Sequence, residues 1–196
     1  MALSPEGMRP RQFMDALCLQ FINSEFRDFR GRWARDDLWE PGWLEHFLAQ
    51  WGLQIAEPPD EAVLTELARL RVFLRSLLEA LASAGQIFDE QQEGLNTILL
   101  KTPLKRQMEK DGDGYHLEML PLRKDWDWVQ AEIVASFVHL LTSHDARRLK
   151  LCANPHCRGA FYDNSKSRTQ RYCTADKCAS LMKARRHRAR RQGTEK

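Results

Sequence analysis

The sequence lacks any run approaching the roughly 18 uncharged apolar residues that a membrane-crossing helix needs. The stretch Met1–Pro10 has no apolar segment of the secretory type, and the first apolar segment is interrupted by Asp15 and Gln20. A glycine-rich phosphate loop, a nucleophile elbow and a helical metalloprotease motif are all missing, which argues against an enzyme. No internal repeat or low-complexity tract is visible. Cysteine is scarce, with five in 196 residues. These features point to the cytoplasm, with no membrane partner, where thiols stay reduced and available to a metal.

An apolar share of 43% is enough for a real core, and the length suits one moderate domain plus a small module. The net charge of +3 conceals an asymmetry. From Arg147 onward stand 15 of the 30 Lys and Arg, against only three of the 27 acids, Asp163, Asp176 and Glu195. The tail is therefore strongly cationic and everything before it acidic. Such a tail either meets a polyanion, most often nucleic acid, or stays solvated.

Periodicity predicts a mainly α (α+β) fold. Phe13, Leu17, Phe21, Ile22, Phe26 and Phe29 recur at helical spacing, and a turn-prone, Trp-rich stretch follows from Gly31 to Gly42. Trp43, Phe47 and Trp51 suggest a short helix ending at Gly52. Pro58-Pro59 open a long one with an apolar stripe from Val63 to Leu81, closed by Gly85. Asp89 to Leu100 reads as another helix. The turn signal Asp111-Gly112-Asp113-Gly114 joins Leu104–Met108 to the alternating residues after Tyr115 as a small hairpin. Trp126, Val129, Ile133, Phe137 and Leu141 mark a buried helix with Asp125 placed to cap it. The division expected is a helical regulatory domain over 1–146 and a zinc module over 147–196.

Four cysteines, Cys152, Cys157, Cys173 and Cys178, form two pairs, each with four intervening residues. Tetrahedral thiolate coordination of zinc needs two such short knuckles joined by a loop, and Asn154-Pro155 favours the reversal inside the first. Unrelated buried thiols would not cluster so, since outside this region there is only Cys18, which sits on an apolar helical face as a core residue. Four thiolates close the coordination shell, so one structural zinc ion is expected and not a catalytic one. Phe161 and Tyr162 are expected as the module's miniature core. After Cys173 the chain reads as a helix whose Lys183, Arg185, Arg186, Arg188, Arg190 and Arg191 nearly encircle it. With Arg168 and Arg171 these are the candidate nucleic-acid contacts.

Cys152-Ala-Asn-Pro-His-Cys157, Phe161-Tyr162-Asp163-Asn164-Ser165, Arg171-Tyr172-Cys173 and Lys183–Arg190 together resemble the CGNR-type zinc finger. Upstream, Leu19–Ser24, the Leu- and Arg-rich segment Leu70–Leu81 and Leu95-Asn96 are similar to its companion, the ABATE domain of stress-induced transcription regulators. The motif that names the finger starts at the fourth cysteine and here reads Cys178-Ala179-Ser180-Leu181. The ligand is kept, whereas any contact made by the family's Asn and Arg is not carried over. The resemblance implies a DNA-binding transcription regulator, DNA preferred over RNA, with a ligand-sensing or regulatory N-terminal domain.

For a small-molecule effector the residues to watch are Asn23, Arg71, Arg75 and Asn96, whose polar groups suit a small anion or carbonyl compound. The plainer alternative is that the asparagines cap or bridge helices and the arginines lie on the surface. A homodimer is a further candidate assembly. The competing function is a protein-interaction adaptor whose basic module binds an acidic protein partner.

Overall fold

A computed structural model describes residues 16–193. Three helices make the centre: α1 (Leu17–Ile22), α3 (Glu61–Ala84) and α5 (Trp126–Ser143). α1 is short but buries Leu17, Cys18, Leu19, Phe21 and Ile22 between the other two. α3 starts where Asp60 accepts a hydrogen bond from the Val63 amide and stops at Gly85, whose φ of 74° suits the left-handed cap. Its buried stripe is Leu67, Leu70, Leu74, Leu77 and Leu78. α5 is capped by Asp125, which accepts from the Trp128 amide, and buries Val129, Ile133, Val134 and Phe137. α2 (Trp43–Gln50) and α4 (Asp89–Leu100) complete the helical body, α4 lying on α5.

The sequence pattern overestimates the first helix. α1 ends at Ile22, and Phe26 and Phe29 belong to a β-hairpin, β1 (Glu25–Arg27) with β2 (Ala34–Asp36), paired Glu25 to Asp36 and Arg27 to Ala34. Tertiary bonds override the helical spacing here. Arg71, on α3, donates to both Asp36 carboxylate oxygens at 2.6 and 2.5 Å and to the Ser24 hydroxyl at 2.8 Å, fixing both ends of the hairpin. Phe13 lies outside the described residues.

A longer hairpin, β3 (Leu104–Asp111) with β4 (Gly114–Pro121), turns through Gly112-Asp113 in full register. The third, β5 (Leu149–Leu151) with β6 (Ala160–Tyr162), opens the C-terminal module, which ends in α6 (Ser180–Gly193). β5 packs on α3 and β6 on α1. Alternation along β6 serves two cores: Ala160 and Tyr162 join the helical one, and Phe161 between them joins the cysteine cluster. Tyr162 is therefore part of the body and not of a separate miniature core.

Among the described residues no helix is long and apolar enough to cross a membrane. Cys18 is fully buried against Ser136, and burial pushes its thiol up to about 11, as expected of a core residue. The tryptophans divide: Trp128 is buried, while Trp33 and Trp39 are half exposed.

Candidate metal centre and basic helix

The first knuckle is shaped by Asn154, whose side chain is fully buried. Its backbone carbonyl accepts from the Cys157 amide at 3.0 Å and its Oδ1 from the His156 amide at 3.3 Å, the turn chemistry that an Asn-Pro pair supplies. Its Nδ2 donates to the Phe29 carbonyl at 2.7 Å and to the Cys178 sulfur at 3.4 Å. One amide therefore links the first knuckle, the second knuckle and the body's β1–β2 hairpin. At the tip of that hairpin Gly31 has a φ of 79°, and a Cβ there would lie 2.5 Å from the His156 ring.

The second knuckle is closed by Thr174, whose hydroxyl accepts from the Cys178 amide at 3.3 Å. Residues Ala175–Ala179 form one wide turn of π-helix that carries Cys178 inward and runs into α6.

All four sulfurs lie within 4.8 Å of one another. Cys157 to Cys173 is 3.5 Å and Cys173 to Cys178 is 3.8 Å. Tetrahedral zinc with bonds of about 2.3 Å sets its sulfurs about 3.8 Å apart, so the cluster fits one zinc ion. The Cys173 amide points at the Cys152 sulfur at 3.4 Å, as donors around a thiolate do. Hydrogen bonds from the Cys157 and Cys173 thiols hold Cys152 well below the ordinary thiol range. Giving those bonds, and then burial, pushes Cys157 up to about 12 and Cys173 upward too. The sulfurs cannot all be anionic together without a cation, and a divalent ion supplies one.

The loop between the knuckles is organised by Asp163, also fully buried. Its carboxylate accepts from Lys150 Nζ at 2.6 Å and from the Ser165 and Gln170 amides at 2.9 and 3.0 Å. Burial alone would raise this carboxyl, but the Lys150 and Ser165 bonds outweigh it and hold it at about 2. Lys150 also donates to the Arg168 and Gln170 carbonyls. Neither Asp163 nor Lys150 stands out from composition. The Asp-Asn-Ser turn sequence between the cysteine pairs is the one clue.

The candidate nucleic-acid contacts are placed unevenly. On α6, Lys183, Arg186, Arg188, Arg190 and Arg191 are exposed. Arg185 is half-buried over Met182. Arg171 is exposed beside the second knuckle. Arg168 is exposed, in a left-handed conformation, and donates to Asp145 at 2.9 Å.

Asn23, Arg71 and Arg75 all bear on the segment Ile22–Ser24. The two arginines are not on the surface: 4% and 7% of each is exposed. Arg75 donates to the Ile22 carbonyl at 2.9 Å and, across the module boundary, to the Arg158 carbonyl at 2.7 Å. The Asn23 amide is doubly engaged by the fully buried Ala160, donating to its carbonyl at 2.9 Å and accepting from its N–H at 2.8 Å. Asn96 does not join them; it is exposed on α4. Beside Asn23 a cleft of about 440 Å³ opens between β1–β2 and the cysteines. Its walls include Phe26, Phe29 and Trp33 on one side and Cys157, Thr174 and Lys177 on the other. Phe26 and Trp33 lie ring to ring at 5.5 Å and are about half exposed.

Two family models match the chain. Residues 148–191 match the CGNR zinc finger. Residues 15–144 match ABATE, described as "Putative stress-induced transcription regulator". Neither is an enzyme family. No curated protein matches the sequence. The first match covers the four-sulfur cluster just described and the second more than half of the chain, so the protein belongs to the ABATE family and carries a CGNR zinc finger whose four cysteines can hold one zinc ion.

Proposed function

We propose that the protein is a cytoplasmic transcription regulator that binds DNA, in preference to RNA, through α6 and the neighbouring Arg171. The observation that carries this reading is the mounting of α6. A helix with six Lys and Arg in nine residues has no apolar face to bury, yet it begins one residue after a turn that holds a zinc ligand. A cationic rod fixed at one end by a metal suits phosphate tracking or entry into a groove. Arg168, held by Asp145, sits on the same module and would add a phosphate contact by exchanging one anion for another.

The N-terminal domain supplies the regulatory input. The cleft between β1–β2 and the cysteines is where we place the effector, because a ligand seated there touches both parts of the protein at once. Its ring-lined wall suits a small molecule with a flat apolar body. In this reading Asn23 borders the effector, and Arg71 and Arg75 brace the cleft from behind.

Titrating zinc-loaded protein with duplex DNA across a salt series tests the first part. With about six phosphates neutralised, log K should fall against log salt with a slope near −5, and Arg186→Ala should make that slope about one unit shallower. Absence of duplex binding at low salt would refute it and favour the adaptor reading, in which α6 meets an acidic protein. Thermal-shift screening of small molecules against wild type and Trp33→Ala tests the second part. Ligands that stabilise both proteins equally would rule the cleft out.

A further inference from the structure

The β3–β4 hairpin has an apolar face that the rest of the protein leaves uncovered. Residues directly opposite in an antiparallel pair share a face. The register Leu104–Pro121, Arg106–Met119, Met108–Leu117 and Lys110–Tyr115 therefore puts Leu104, Met108, Tyr115, Leu117 and Met119 on one side. Each of the five is between 46% and 68% exposed. Leu100 and Leu122, at the base of the hairpin, are exposed at 80% and 60%. Seven of the twelve large exposed hydrophobic residues among those described thus fall within this one segment. The opposite side, with Lys105, Gln107, Glu109, His116 and Glu118 beside Leu120, is mostly polar, while Arg106 and Lys110 stand among the apolar side chains of the first. The strands pack extensively on each other and only slightly on any other element.

We propose that this face is a self-association surface and that its occupant is a second copy of this chain. The pattern of the face is self-complementary. It carries two cations, Arg106 and Lys110, directly opposite Met119 and Tyr115, and no acid, so a second copy fits where its cations meet those side chains and not their own equivalents. Area agrees: at roughly 100 Å² of exposed surface per side chain, five residues from each copy remove about 1,000 Å². With Leu100 and Leu122 at the rim the total reaches the range of a small stable interface, about 1,200 Å² and upward.

A two-fold axis along the strands lays β3 of one copy over β4 of the other, face to face. Lys110 then lies over the partner's Tyr115 ring, a cation–π contact, and the cationic pair Arg106 and Lys110 of one copy stays away from its equivalent. Such a dimer would present two zinc modules together.

Sedimentation equilibrium of the zinc-loaded full chain is the test. We expect a species of twice 22.9 kDa at micromolar concentration. The double substitution Met108→Glu with Leu117→Glu should return it to monomer, with helical content and zinc stoichiometry unchanged. Lys105→Glu, on the polar face, should leave the dimer intact. A wild type that stays monomeric to about 100 μM, or a dimer that survives the double substitution, would overturn the proposal. So would flotation of the wild type with phosphatidylcholine vesicles that the double variant loses, since the face would then belong to lipid.

Discussion

Removing the Asn23 side chain amide with Asn23→Ala should destabilise the protein far more than its size suggests. The amide meets Ala160 as a neighbouring strand would, one donor to the carbonyl and one acceptor for the N–H. Ala160 is fully buried behind Asn23, which is itself half-buried at the edge of the cleft, so water reaches the stranded groups only through the space that the side chain vacates. An unsatisfied buried polar group costs about 1–3 kcal/mol, which puts the pair at roughly 2–6 kcal/mol. In a protein of this size about 2–4 °C of Tm follows each kcal/mol, so the zinc-loaded variant should melt about 10 °C lower in a calorimetric scan. The fall should be present without any small molecule, because the amide works inside the protein. A loss below about 1 kcal/mol would refute this. It would mean that Ala160 finds other partners, and Asn23 would then be free to serve a ligand.

The remaining expectations concern the same junction and the metal. Arg75→Met keeps most of the volume but leaves the Ile22 and Arg158 carbonyls without their donor; a cost of about 2–4 kcal/mol is expected, with faster amide exchange at 158–161, and unchanged exchange there would count against a strut. Metal analysis should find one zinc per chain, and chelation or Cys173→Ser should unfold the module and lower the melting temperature of the helical body too; a body indifferent to chelation would contradict the shared core. Asp163→Asn should destabilise through the lost carboxylate. Because the folded carboxyl sits at about 2, below its ordinary 3.8, its contribution is complete above about pH 4 and disappears as pH falls toward 2. The stability gap between variant and wild type should therefore be flat from pH 5 to 8, and a gap that closes within that window would show another group responsible.

Much of the helical body is legible in the residues, because local chemistry and burial agree there. Pro58-Pro59 and Gly85 bracket α3, Asp125 caps α5, and the Asp-Gly-Asp-Gly turn sets the long hairpin. The metal centre is equally plain, since four cysteines at paired spacing have one economical explanation. What cannot be read is whatever depends on distant partners. Phe26 and Phe29 keep helical spacing with Phe21, but the chain leaves the helix because Arg71, far along the sequence, holds Asp36 and Ser24. Asn154 is recognisable as a turn former, while its grip on Phe29 spans 125 residues. Arg71 and Arg75 look like surface cations on a long helix until the carbonyls and carboxylate that they meet are in view.

The alternation in β6 bears on where the protein can be cut. Leu149, Ala160 and Tyr162 complete the helical core, so a fragment ending at residue 146 keeps nearly all of that core's sequence but loses its wall. Such a fragment would expose a strip of α1 and α3 that normally never meets water, and it should aggregate or demand a substitute strand. The finger grafted onto another protein would suffer the converse loss, with the body-facing side of its strand left bare. Shuffling these two parts through evolution or engineering therefore requires the partner surface to travel with them.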